Sequence, residues 1–142
     1  MRSASLPLLF VIGAIGALGI TAYLFSASPF AIAAQATAVR LGIWARRSFW
    51  QGTFRVTAAP AGRLIIREGP YRFVRHPMYS AALLIVWAAV ISHASGLTLA
   101  LGATVTCLTV ARVFAEERLL AARFPDYPNY ARSTKALIPL VF

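Results

Sequence analysis

Acidic residues are almost missing: the 142-residue chain holds four, against fourteen Lys and Arg, for a net charge of +10. Charged residues make up 13% of the chain and hydrophobic ones 59%. An ordinary soluble domain carries about 25% charged residues. The shortfall excludes disorder and argues against a soluble globule. A single cysteine, Cys107, excludes an intrachain disulfide and a cysteine metal cluster. A dinucleotide-binding unit is missing too. Gly13, Gly16 and Gly19 stand in an unbroken apolar run with no strand before them. That spacing suits close packing between membrane helices, and no Rossmann unit exists elsewhere. The length allows one domain, residues 1–142.

Charge is absent over two long stretches, Ser3 to Val39 and His76 to Ala111. Each is long enough for two passes through a hydrocarbon core, at about 20 helical residues per pass. Each has a central break, Ser26-Ala27-Ser28-Pro29 in the first and Ser92-His93-Ala94-Ser95-Gly96 in the second. Ser28 before Pro29 reads as an N-cap followed by proline at the first helical position. The expected architecture is therefore all-α and integral to a membrane, with four transmembrane spans at about 6–25, 29–47, 77–92 and 97–114. The third is short enough to be tilted or only partly inserted. A signal peptide over 1–28 is the rival for the first span. The run Leu6–Phe25 is longer than the usual apolar core of about 7–15 residues in such a peptide.

The loops set the orientation. Neither break carries a basic residue, whereas Arg46 to Arg75 carries seven arginines. The tail adds Arg118, Arg123, Arg132 and Lys135. Excess Lys and Arg stay cytoplasmic, so both basic segments and both termini are expected there. An even number of spans satisfies this. The positive charge then needs no nucleic acid to explain it.

Two cytoplasmic segments, about 60–79 and 112–139, hold the candidate chemistry. Thr53–Arg67 has short β-prone pieces separated by Pro60 and Gly62, which predicts a non-helical loop. Gly69-Pro70 predicts a turn. Pro77 fits only the first turn of a helix, so the third span is predicted to start at His76-Pro77. A helix start offers unpaired backbone N–H groups to a carboxylate or phosphate. His76 adds a group that titrates near neutrality, and Tyr79 shares its face. Interfacial anchoring is the alternative, above all for Arg72 and Tyr71.

In the second segment Arg112 and Glu116 are four apart and face the same way. Glu116, Glu117 and Asp126, three of the four acids, fall within eleven residues. Ionisable groups near hydrocarbon are costly and mark functional candidates. A self-satisfying Arg112–Glu116 pair is the competing reading. Phe124 to Tyr130 and Leu137-Ile138-Pro139 predict a turn and an amphipathic C-terminal tail on the membrane surface.

The run Gly69-Pro70-Tyr71, Arg75-His76-Pro77-Met78-Tyr79, then Glu116-Glu117, Phe124-Pro125-Asp126-Tyr127, Tyr130 and Pro139 resembles the isoprenylcysteine carboxyl methyltransferase family. Its members are integral-membrane enzymes that use S-adenosylmethionine, and the wider group includes phospholipid N-methyltransferase-like proteins. The resemblance runs from about Val39 to Pro139. The family usually has glycine two residues after the motif tyrosine, where this chain has Ala81.

The resemblance implies that His76, Pro77, Met78 and Tyr79 hold the methionine end of S-adenosylmethionine. Tyr71 and Arg63-Leu64-Ile65-Ile66 would wall its adenosine side. Glu116 would bind the cofactor, and Arg112 would meet the methyl acceptor. The residue chemistry agrees independently. The cofactor has a carboxylate for a helix start, an ammonium for Glu116 and a sulfonium that tolerates tyrosine faces. An ionised carboxylate acceptor needs no general base, which suits an arginine with no evident base beside it. An amine acceptor would have to lose a proton first. Three readings follow: a methyltransferase acting on a lipophilic carboxylate or thiol, one acting on a lipid amine, and a non-catalytic protein binding anionic lipid. The expected partners are membrane lipids and a lipophilic acceptor, with no metal. The expected location is a bacterial inner membrane.

Overall fold

The computed structural model of the chain describes residues 28–58 and 65–138. The expected first span, Arg63, Leu64 and Pro139 lie outside these residues. Among the described residues the fold is all-helical. Its elements are α1 (Pro29–Ala58), a 3-10 turn (Gly69–Arg72), α2 (Pro77–Ser92), α3 (Gly96–Arg123) and α4 (Tyr127–Ser133).

Helix α1 begins where the Ser28-Pro29 signal places it, and the Ser28 carbonyl accepts from Ile32 N–H at 3.0 Å. It runs eleven residues past the expected end at 47. Thr53–Ala58 is helical, not the β-prone loop its residues suggested. Residues such as Val56 and Thr57 cost a helix only a few tenths of a kcal/mol each, roughly, and do not end one. A seam of Ala31, Ala38 and Ala45, seven residues apart, is fully buried. Small residues on one stripe let backbones approach closely. Gly42 lies on α1 where an added Cβ would touch Ala81 of α2 at 3.8 Å.

Gly69 makes the expected turn and is the one glycine with positive φ, +60°, among the described residues. A Cβ at this position would overlap Ser48 Oγ and lie 2.9 Å from Ser48 Cβ. Both the backbone angle and the close approach to α1 therefore require glycine.

Helices α2 and α3 form an antiparallel pair joined at the expected break. Ser95 and Thr98 make a reciprocal capping box: Thr98 N–H donates to Ser95 Oγ and Ser95 N–H to Thr98 Oγ1. Two orphan donors at the start of α3 are thereby satisfied. Val86 and Val90 pack on Val105, flanked by Leu83, Trp87 and Leu101. Trp87 Nε1 donates to Thr106 Oγ1 at 3.0 Å, a cross-helix bond inside an otherwise apolar layer.

Of the described helices, only α3 is long and apolar enough to cross a membrane; α2 is apolar but shorter. Arg40, Arg46, Arg47 and Arg55 interrupt α1. Four spans are thus not established. Large apolar side chains nonetheless lie exposed along α1 and α3, among them Phe30, Ile32, Val39, Leu97, Leu99 and Phe114. An exposed apolar surface of this extent is uncommon on a protein surrounded by water.

The C-terminal segment differs most from expectation. Residues 134–138 fold back onto the start of α2 instead of lying free on a surface. Val74 and Lys135 form a parallel bridge. Arg75 N–H donates to Lys135 O at 2.7 Å, His76 N–H to Ala136 O at 3.0 Å and Lys135 N–H to Phe73 O at 3.2 Å. Ala136 and Leu137 are buried against Val113. Ala136 and Leu137 thus find a protein partner while Ile138 stays exposed, and the backbone groups of residues 135 and 136 are satisfied there.

Candidate functional site

Beside the start of α2 lies a cavity of about 720 Å³. Its walls come from the C-terminal half of α1, residues 65–71, the start of α2, the last turns of α3, and α4. Among the sequence-proposed residues, Ile65, Ile66, Tyr71, His76, Pro77, Met78, Tyr79 and Glu116 line it. They are brought together from separate elements, as one shared site requires. Arg112 is not a wall residue.

Arg112 is instead committed to its neighbours. Its Nε donates to Tyr79 Oη, and its Nη2 lies 3.0 Å from Glu116 Oε1. Tyr79 Oη in turn donates to that same carboxylate oxygen at 2.8 Å. The i,i+4 pair expected on α3 therefore forms, with Tyr79 of α2 tied into it. An arginine held this way orients Tyr79 and Glu116, and is not a loose cation awaiting an anion.

His76 is buried at the cap of α2, with its ring stacked on Tyr79 at 5.8 Å between centroids. Its Nδ1 is 3.8 Å from Glu116 Oε2, and its Nε2 is 3.3 Å from Glu117 Oε1. The second contact is within ion-pair reach but not in line for a hydrogen bond, so Nε2 has none. Burial lowers the His76 pKa below its usual value, partly offset by the charges of Glu117 and Glu116. The fold thus favours the neutral imidazole.

Seven wall residues were given no site role from the sequence: Arg46, Phe49, Arg75, Leu120, Phe124, Tyr127 and Tyr130. Arg75, only 11% exposed, donates through Nε to Glu117 Oε1 at 2.7 Å. Its Nη1 donates to Ala131 O at 2.9 Å and Thr134 O at 2.5 Å. Tyr130 Oη donates to Tyr71 O at 2.6 Å, and Arg67 lies over its ring at 5.4 Å. Tyr127 is buried on the same wall. Burial pushes the Tyr127 phenol up to about 12, with the Glu117 charge adding to the effect. Burial raises Tyr130 and Tyr71 as well. All three phenols are therefore neutral near pH 7. The sequence held one signal for the tyrosines, their clustering with Pro125 and Pro128 just after α3. It held none for Arg75's partners.

In chemical terms the cavity has a polar end and an apolar remainder. The polar end holds one ligand-facing carboxylate (Glu116), a neutral buried imidazole, a helix start and several tyrosine faces. Such a set suits a small cation that also bears an anionic group. Among the described residues no group of His, Cys, Asp and Glu could hold a metal ion.

Among the described residues, an all-helical fold with a largely apolar cavity beside the start of α2 and the last turns of α3 is the class defined so far. The chain belongs to the phospholipid methyltransferase family, whose model matches residues 8–127. That family includes the isoprenylcysteine carboxyl methyltransferases. The chain is 30% identical over 102 residues to the cobalt-zinc-cadmium resistance protein CzcN of Cupriavidus metallidurans, covering 62% of this chain and 47% of that one. It is 29% identical over 102 residues to the nickel-cobalt-cadmium resistance protein NccN of Alcaligenes xylosoxydans xylosoxydans, covering 62% and 48%. It is 41% identical over 69 residues to the methanethiol S-methyltransferase of Mycobacterium tuberculosis, covering 49% and 28%. The chain thus spans about half the length, or less, of the curated relatives it matches. No solved structure matches it.

Proposed function

We propose that this chain is a membrane methyltransferase that uses S-adenosylmethionine and methylates a small lipophilic acceptor. The observation that carries the reading is the cavity's layout, in which Glu116, Tyr79 and His76 converge at one end of an apolar chamber. The donor set fits the cofactor. Glu116 would take its ammonium, and the start of α2 with His76 would take its carboxylate. Tyrosine faces suit its sulfonium. Bound there, S-adenosylmethionine supplies an activated methyl group for in-line displacement. The protein's part is to hold the reactants in line and keep water out, and positioning can supply most of such an acceleration. Four spans, with both basic segments and both termini on the cytoplasmic side, belong to the same proposal.

We infer further that the acceptor is a thiol. Both arginines nearest the polar end are engaged, Arg112 by Tyr79 and Glu116, Arg75 by Glu117 and two carbonyls. A carboxylate acceptor would have to draw one of them away or turn to Arg46, which lines the cavity from α1. A thiolate's charge, like a carboxylate's, cancels the sulfonium's as the methyl group moves, and a thiolate has no paired oxygens to match a guanidinium fork. An apolar chamber favours that loss of charge. The 41% identical mycobacterial relative acts, by its name, on a thiol. A carboxylate of the isoprenylcysteine type is the second reading, favoured by the motif order from Gly69 to Pro139.

The test is methyl transfer by the purified protein in lipid nanodiscs. Labelled S-adenosylmethionine would be offered with a short-chain thiol, an isoprenylcysteine analogue and phosphatidylethanolamine. Methylation of the thiol is expected, with a rate that rises with pH towards the thiol's own pKa of about 8.5 or above. A carboxylate acceptor would give a rate flat in pH over the same range. Methylation of the carboxylate or the amine alone would overturn the thiol assignment. No cofactor binding at all would overturn the methyltransferase reading.

A further inference from the structure

The two adjacent glutamates of α3 do different things. Glu116 lines the cavity, and its bonds come from Tyr79 and Arg112. Glu117 does not line it. A single Glu117 oxygen, Oε1, sits 2.7 Å from Arg75 Nε and 3.3 Å from His76 Nε2. Arg75 Nη1 donates to the carbonyls of Ala131 and Thr134, in α4 and just beyond it. Glu117 is therefore the hub of a link from α3, through the cap of α2, to α4, whose Tyr127 and Tyr130 line the cavity.

We propose that Glu117 is a positioning residue and not a ligand group. Through Arg75 it pins α4, whose Tyr127 and Tyr130 wall the cavity, and its carboxylate faces His76 Nε2 at 3.3 Å. Glu116 is left as the one carboxylate that meets a cationic ligand. The assignment rests on the methyltransferase reading for the ligand's identity, but its structural half does not.

The physical argument is one of satisfaction. Arg75 is mostly buried, and a buried guanidinium that loses its carboxylate is left with uncompensated charge. Without Glu117 the cheapest relief is for Arg75 to swing towards water, releasing Ala131 O and Thr134 O. The backbone bonds between residues 73–76 and 135–136 would then open more often. His76 is faced by Glu116 and Glu117 from α3, by Arg75 beside it and by the Tyr79 ring from α2. Removing Glu117 takes away one of the two charges that favour its protonated form.

The test compares Glu117→Gln with Glu116→Gln in the full chain. Amide hydrogen exchange at Arg75, His76 and Lys135 reports the pinning. Calorimetry with S-adenosylmethionine and with 5′-methylthioadenosine, which lacks the amino-acid end, reports the ligand role. Histidine-ring NMR, with His93→Gln to assign the signals, reports the charge on His76. Glu117→Gln is expected to speed exchange at the three amides by roughly tenfold or more, the loss of about one hydrogen bond to a charged group. It should weaken both ligands by the same factor and lower the His76 titration point. Glu116→Gln should leave the exchange rates alone and weaken only S-adenosylmethionine. An unmoved His76 titration in Glu117→Gln would overturn the claim on His76. Selective loss of S-adenosylmethionine in Glu117→Gln, with exchange unchanged, would make Glu117 a ligand group and overturn the proposal. If the wild type binds neither ligand, the methyltransferase reading fails while exchange and titration still decide the positioning role. Should Glu117→Gln not fold, Arg75→Lys replaces it: the same amides should speed up, and unchanged rates would again overturn the pinning.

Discussion

Replacing Arg112 by lysine separates two roles that one residue could have. In the structure the guanidinium makes two directed contacts, Nε to Tyr79 Oη and Nη2 to Glu116 Oε1. Lysine keeps the charge but offers a single point in place of a planar fork, so it can replace one contact and not both. The charge stays near Glu116 because that attraction is the longer-ranged one. The Tyr79 contact is the one lost. A hydrogen bond to a charged group contributes about 1.5–3 kcal/mol. The side chains here are 18% and 33% exposed, which places the loss at the lower end. About 1.5 kcal/mol is roughly tenfold in an equilibrium constant. Arg112→Lys should therefore weaken S-adenosylmethionine about tenfold by loosening Tyr79 and Glu116, and leave the acceptor's KM unchanged. A cycle with Tyr79→Phe should recover most of that energy as coupling between the two positions. The assay pairs calorimetry for the cofactor with initial rates at varied acceptor. A raised acceptor KM with unaltered cofactor affinity would refute the argument and return Arg112 to direct contact with an anionic acceptor.

Gly69→Ala should destabilise by about 2–4 kcal/mol, adding a left-handed penalty to a clash with Ser48; thermal unfolding checks this, and Ser48→Gly should recover part but not all of the loss. His76 has a pKa lowered by burial, so the unfolded chain binds a proton more readily than the folded one. Its contribution is complete above the ordinary histidine value of about 6.5 and is lost as pH falls below it. Unfolding midpoints between pH 8 and 5 should fall on the acid side, and His76→Gln should flatten that slope; an unaltered slope would remove His76 as its source. Ala94→Cys and Ser133→Cys, each with Cys107→Ser, should label from opposite faces of the membrane, and labelling from one face would sink the four-span arrangement.

Local signals carried the sequence reading a long way. Charge-free stretches, with Ser92 to Gly96 as a break, placed α2 and most of α3. Pro77 fixed the first residue of α2, and Gly69-Pro70 marked a turn that the positive φ then required. The i,i+4 spacing placed Arg112 beside Glu116. Each of these depends on steric or hydrogen-bonding rules within a few residues, which the residues themselves state.

Partnership across the chain was not written in that way. Arg75 and Glu117 are 42 positions apart, and Tyr130 and Tyr71 are 59 apart. Nothing local says which carbonyl a buried arginine will meet. The end of α1 was misread because β-branched residues bias a helix weakly, and the weak bias was taken as a stop. The tail was misread for a related reason. An apolar run such as Leu137-Ile138 states that it must be covered, but not by what. Only the packed structure decided that Ala136 and Leu137 are covered by Val113 of α3, with Ile138 left exposed. The same packing engaged Arg112 with Tyr79, a contact that no spacing in the sequence announced, as well as with Glu116.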